Sequence, residues 1–406
     1  METINELLNN ELERQNNGIE LIASENYPSI QVRNACGSIA MCKYAEGYPG
    51  KRYYGGCRFI DKIEQTAIDN VCKLFNCKFA NVQPHSGSTA NFAAYHALLP
   101  RGGRILSLDL NSGGHLTHGS PVSFSSDLYE FDFYCLDKDG YIDFNSVKEK
   151  ILNFKPDIVL CGYSAYPHIV DFKNFRDIIN ECGSTAFLVA DIAHIAGLIA
   201  AGEHPSPFPW CDVVTTTTHK TLRGPRGGMI LWNRDDLTKA INNAVFPYAQ
   251  GGPLENIIAA KALMAEEALQ PQFKDYIKRV KENTATMANW FKNHNCIVYG
   301  TENHLFLLNT LESFRLNGLQ AQKKLEEIGI TTNKNMIPKD TLSPAKTSGL
   351  RIGLAAATSR GATIFDVEDI SIIIYYYLKG NIDKDAAALA VKNITNKWKD
   401  INNLKY

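Results

Sequence analysis

The chain has 406 residues, 45% of them hydrophobic and 21% charged, with a formal net charge of −1. This is the make-up of an ordinary enzyme with room for one large domain and a smaller one. So even a balance excludes a global field that would recruit nucleic acid or an anionic membrane, and any anion site must be local.

In chain order, METINELLNNELERQNN is polar and charged and has no apolar signal core. Residues 1–40 read as a helical arm followed by extended chain, with Gly18 and Pro28 as breakers. Strands are predicted at 79–84, 104–110, 157–164, 186–191, 212–218 and 228–233, and helices between them at 88–99, 145–154 and 174–183. Apolar strands alternating with helices predict an α/β domain, residues 41–275, around a mostly parallel sheet. Two helices follow, LENIIAAKALMAEEAL and PQFKDYIKRVKENTATMANWFKNH. A smaller α+β domain, 276–406, then has strands in CIVYG and HLFLLNT and helices near 316–328 and 365–379. NKWKDINNLKY closes the chain as a predicted charged helix. No apolar run reaches the length of a membrane span. The ten cysteines form no CxxC pair and read as buried hydrophobes in a reducing cytoplasm, with no metal site.

The chemistry gathers around TTTTHKTLRGPRGG. Lys220 follows the β-branched strand DVVTTTT, at the kind of strand end where α/β proteins present reactive groups. Arg223 and Arg226 crowd it, which favours the neutral amine that forms Schiff bases. AFLVADIAHIAG ends an apolar strand in Asp191, with His194 three residues on. A carboxylate there is suited to keep a ring nitrogen protonated and an imidazole to lie over a flat ring; the bland reading of Asp191 is a helix cap. In QPHSGSTAN, Ser86, Gly87 and Ser88 precede a helix and form a candidate phosphate cradle, though a serine cap explains them equally. Together with the lysine these motifs point to pyridoxal 5'-phosphate. Arg351, in SGLRIG, supplies a bidentate clamp for an amino-acid carboxylate. KYAEGYPGKRYYGG packs four tyrosines, four glycines and Glu46 into one loop. Glu46 is suited to carry a proton there, and Tyr53 and Tyr54 offer flat faces.

These stretches, with ELIASEN, GGHLTHGSPV, YSAYP and QGGP, run in order from about residue 11 to 361. They resemble the serine hydroxymethyltransferase family. The resemblance implies a fold-type I pyridoxal phosphate-dependent transferase of the aspartate aminotransferase-like class, with a large α/β domain and a smaller α+β C-terminal one. It implies a homodimer that interconverts serine and glycine in the cytoplasm and transfers the one-carbon unit to tetrahydrofolate.

By the same resemblance Lys220 is the Schiff-base lysine, His219 and Thr217 act beside it, Asp191 pairs the ring nitrogen, and His115 and His194 stack on the ring. Ser86, Gly87, Ser88 and Ser164 serve the cofactor. Ser24 and Arg351 take the substrate carboxylate. Tyr44, Glu46, Tyr53, Tyr54, Gly251 and Gly252 come from the partner chain; Glu46 handles protons and Tyr54 assists aldimine exchange. Folate falls to Tyr53, Leu110, Gly114, His115, Leu116, Asn335, Ser343, Pro344 and Ala345.

The chain departs from the family pattern in four places. RIGLAAA stands for RIGTPA, which places Leu354 and Ala355 at the substrate end of the pocket. SPA stands for SPF, Tyr248 replaces a small residue, and His168 replaces a frequent arginine. These departures keep open a related aldolase or transaldolase, or an alpha-methylserine-type enzyme. A silent scaffold or RNA-binding relative is the reading of a different class; intact Lys220, Asp191 and Arg351 and the near-zero charge weigh against it.

Overall fold

The computed structural model describes residues 2–406. The chain divides into two compact units. One comprises Pro28–Ser164, Ile169–Lys274 and Tyr406, and the other the residues up to Tyr27, Ala165–His168 and Asp275–Lys405.

The first unit is built on a seven-stranded sheet. Its strands are β1 (Phe79–Asn81), β2 (Arg104–Leu108), β3 (Glu130–Tyr134), β4 (Ile158–Cys161), β5 (Phe187–Asp191), β6 (Val213–Thr217) and β7 (Gly228–Trp232), in the spatial order β1-β7-β6-β5-β4-β2-β3. The pairs from β6 to β3 are parallel, and only β7 runs against its neighbours. This is the mostly parallel α/β sheet that the alternating pattern predicts. Every residue of β4, β6 and β7 is buried, which explains their unbroken apolar or β-branched runs.

Strand β3, EFDFY, escapes the sequence pattern because it is an edge strand whose Glu130 is exposed and whose Asp132 is half-buried. The amphipathic helix Arg58–Phe75 was also not predicted; it buries Ile60, Glu64, Ala67, Val71 and Phe75 along one face.

The second unit carries a four-stranded antiparallel sheet, β8 (Ile297–Tyr299), β9 (Leu305–Asn309), β10 (Asn333–Asn335) and β11 (Gly349–Gly353), in the order β8-β9-β11-β10. Phe291, Phe306, Leu308, Leu350, Ile352, Val367 and Ile370 are among its core residues. One expectation fails here. The last helix ends at Thr395, and NKWKDINNLKY is turn and one short 3-10 segment. There the Asp400 side chain accepts a bond from Asn402 N at 2.8 Å, a local bond that competes with helix. Leu354 and Ala355 are both buried, and Leu354 belongs to the apolar core. No helix among the described residues is long and apolar enough to cross a membrane.

Candidate active site

In the larger unit the predicted groups collect beyond the carboxyl ends of the parallel strands, where open α/β sheets bind ligands. Asp191 is the last residue of β5 and is buried. Its Oδ1 accepts from Ala193 N at 3.0 Å, and its Oδ2 from Asn91 Nδ2 at 2.9 Å and pairs with His118 Nε2 at 3.1 Å. Burial alone would raise its pKa. The bond and charge of His118, the charge of His115 and the Asn91 bond outweigh burial and hold the carboxyl well below the usual range. A buried carboxylate fixed in its ionised form is what a protonated ring nitrogen requires. His115, His118 and Asp191 also bring one ligand atom each within 4.8 Å of one another. With three donors already on the carboxylate, it is committed to N–H groups rather than to a cation.

The strand ends are interlocked. Thr217 Oγ1 donates to Ala193 O at 3.4 Å and Thr221 Oγ1 to His194 O at 3.1 Å. This ties the Asp191–His194 segment to the turn that carries Lys220. Lys220 is buried, three residues past the end of β6. His219 is held neutral: burial, then the charges of Arg226 and Lys220, push its pKa down to about 3.

The helix Gly87–Leu98 begins at Ser86, whose hydroxyl accepts from Thr89 N at 3.1 Å. That is the cap reading of Ser86; it leaves the Gly87 and Ser88 N–H groups in the first turn, beyond reach of any helical carbonyl. A Cβ on Gly87 would come within 2.6 Å of Thr217 Cγ2, and one on Gly228 within 2.2 Å of Ser86 O. Only glycine permits this close approach of β7 to the turn. A carboxylate for a ring nitrogen, a buried lysine and a backbone cradle therefore fit pyridoxal phosphate.

His115 lies on the loop after β2, its Nδ1 2.8 Å from Thr117 Oγ1. Ser164 N donates to Gly113 O at 2.9 Å, which joins that loop to the end of β4. Leu110 and Leu116 on this loop are exposed. A Cβ on Gly114 would lie 2.1 Å from Leu108 O.

A second cluster in the same unit joins the aromatic loop to the QGGP turn. Tyr44 and Tyr54 meet edge to face at 5.0 Å. The Tyr44 hydroxyl pairs with the Glu46 carboxylate, whose charge is the main cause of the rise in the tyrosine's pKa. Gly251 packs against Glu46 and Gly252 against Tyr44. Tyr53 is exposed.

The remaining predicted residues lie in the other unit. Arg351, on β11, is buried and reaches Ser24 Oγ at 3.4 Å. Burial lowers its pKa to about 10, so it stays a cation at neutral pH. Gly353 allows this neighbourhood, since a Cβ there would fall 2.6 Å from Ala23 Cα. Asn335 is half-buried on β10, its amide donating to Met336 O at 2.6 Å. Ser343, Pro344 and Ala345 are exposed.

His118, Asn91 and Thr117 join the site without having stood out in the motifs. His118 stands three residues after His115 inside GGHLTHGSPV, so a signal was present. Asn91 was hidden in the apolar face of a helix, although its amide bridges Thr117 Oγ1 at 2.8 Å and Asp191, while its Oδ1 accepts from Thr215 Oγ1 at 2.6 Å.

The family model for serine hydroxymethyltransferase matches residues 1–374. The chain belongs to the serine hydroxymethyltransferase family. It is 51% identical over 398 residues to the "Probable serine hydroxymethyltransferase" of Mesomycoplasma hyopneumoniae (strain J), covering 98% of this chain and 94% of the relative. It is 53% identical over 358 residues to the serine hydroxymethyltransferase of Nitratiruptor sp. (88% and 86% covered) and 51% identical over 397 residues to that of Lactobacillus gasseri (96% of each). Members of the family are fold-type I enzymes that use pyridoxal phosphate and take tetrahydrofolate as co-substrate.

Proposed function

We propose that this chain interconverts serine and glycine, carrying the one-carbon unit to tetrahydrofolate with pyridoxal phosphate as resident cofactor. The observation that carries this reading is the buried Asp191 carboxylate, kept ionised by His118 and Asn91 in a chain of this family. When bound, the cofactor supplies an electron sink for bond cleavage at the amino acid's alpha carbon.

The chain's own residues do the rest. Asp191 keeps the ring nitrogen protonated, and His115 and His194 flank the ring. The Gly87 and Ser88 amides, with Ser86 and Ser164, hold the phosphate side. Lys220 provides the amine that anchors the cofactor, with Thr217 and a neutral His219 beside it. Arg351 and Ser24 clamp the substrate carboxylate. Glu46 moves the proton needed for one-carbon transfer, and Tyr54 assists exchange of the amino acid. Leu110, Gly114, Leu116, Tyr53, Asn335 and the 343–345 stretch receive folate.

The working form in this reading is a cytoplasmic homodimer in which the Tyr44–Tyr54 loop and Gly251–Gly252 complete the partner's site. Ile39, Met41, Tyr44, Tyr53 and Phe59 expose large apolar side chains within one short stretch, which supports an interface there.

Borohydride reduction followed by peptide mapping tests the anchor. The cofactor should be fixed to one peptide containing Lys220; label on any other lysine contradicts the reading.

A further inference from the structure

One buried charge in the larger unit has no part in the chemistry above. Lys261 lies in the helix Glu255–Ala268 and is among the largest fully buried side chains of the molecule. Its Nζ donates to three backbone carbonyls: Val82 O at 2.6 Å, Gly228 O at 2.8 Å and Pro84 O at 3.1 Å. Three acceptors match the three protons of an ammonium group. Burial pulls the pKa down to about 7, against the charge of Glu64; the protonated form is the one that satisfies all three carbonyls. Gly227 leaves the channel open, because a Cβ there would fall 2.6 Å from Lys261 Cε.

The three carbonyls are not scattered. Val82 and Pro84 lie on the segment between β1 and Ser86, and Gly228 opens β7, whose backbone closes on Ser86. Pro84 O also accepts from Gly228 N at 3.0 Å, and Gln83 O from Gln250 Nε2 at 2.8 Å. The Val82, Gln83 and Pro84 carbonyls are thus all fastened, two of them by the same ammonium. Its charge reaches the turn as well: after burial, it is the cause that lowers the pKa of His85, next to Ser86.

We infer that Lys261 is a positioning residue for the cofactor's phosphate, fastening the carbonyls that set the Ser86–Gly87–Ser88 turn. This rests on the reading that the turn takes the phosphate. Lys261 holds the backbone; the amides of the turn make the contact. Without it, the three buried carbonyls lose the ammonium, Pro84 O keeping only Gly228 N, and the segment shifts to find other donors.

The test titrates apoprotein, wild type and Lys261→Met, with pyridoxal phosphate and with pyridoxal, which has the same ring and aldehyde but no phosphate. The wild type should prefer the phosphate form. Lys261→Met should bind pyridoxal phosphate about tenfold more weakly, or ~1.4 kcal/mol, with pyridoxal affinity changed less than about threefold. Equal losses for both ligands, or an unchanged preference, overturn the proposal. A wild type without preference for the phosphate form overturns the cradle reading, and the proposal with it. Should Lys261→Met fail to fold, Lys261→Gln, whose amide supplies two of the three donors, is titrated instead: a selective partial loss supports the role, and an unaltered preference contradicts it.

Discussion

Asp191 illustrates how a single residue's charge state is fixed by its neighbours. Burial disfavours the carboxylate, yet Asn91 and His118 donate to the same oxygen and turn the balance. Asp191→Asn keeps the shape and removes the charge. We expect it to lower serine turnover at least ~100-fold, the scale of one lost electrostatic contact in a dry site; turnover within a few-fold of wild type would dissociate Asp191 from the chemistry. Leu354 shows the opposite case. Its place beside Arg351 in RIGLAAA suggests a pocket wall, but the side chain points into the core of the smaller unit. Leu354→Thr should therefore cost about 2–3 kcal/mol of stability from lost packing and a buried hydroxyl, read by denaturant melts. A raised folate KM with unchanged stability would return it to the pocket. Sequence adjacency reports the strand; only the fold reports which way the next residue faces.

The element that most exceeds its sequence signal is the hairpin Gly47–Tyr48/Lys51–Arg52, which carries Glu46 and Tyr53 at its ends. Arg52 anchors it from within, donating to Asp61 Oδ1 at 2.8 Å, Ala45 O at 2.8 Å and Gly47 O at 3.0 Å, and pairing with Glu64. Glu255, from a distant helix, joins the cluster 3.6 Å from Arg52. Burial first, then the Glu64 charge, pushes its pKa up to about 8 against the pull of Arg52. The folded state thus holds a proton that the unfolded chain releases near 4.5. The stability this confers is complete below that value and is lost as pH rises towards 8. Glu255→Gln should flatten this part of the stability profile between pH 5 and 8 in thermal melts; an unchanged slope would mean that Glu255 is ionised throughout. The sheet strands and the lysine motif were legible because local pattern and turn chemistry write them into the chain. The Arg52 cluster and the Lys261 anchor were not, because their partners are far apart in sequence and become neighbours only once the helices pack.

At the scale of the whole molecule, the proposed shared-site dimer makes a demand that no single chain would meet. A Lys220→Ala chain lacks the cofactor anchor but keeps a good Glu46 loop, and a Glu46→Gln chain has the reverse defect. Co-refolding the two inactive proteins should restore part of the activity, since some mixed dimers hold one complete site; an inactive mixture with mixed dimers shown to form would refute sharing. Tyr248 and His168, two of the departures from the family pattern, have packing and charge partners of their own. Tyr248 lies flat on His96 with ring centroids 3.5 Å apart, and His168 Nδ1 sits 3.3 Å from Glu302 Oε1. Neither withdraws a proposed catalytic group. The most direct measurement is glycine formation from serine with and without tetrahydrofolate, beside allo-threonine and alpha-methylserine under the same conditions. Serine should be the best substrate when folate is present, and its turnover should depend on folate. Turnover of serine that ignores folate, or a stronger preference for one of the other amino acids, would contradict the proposed function.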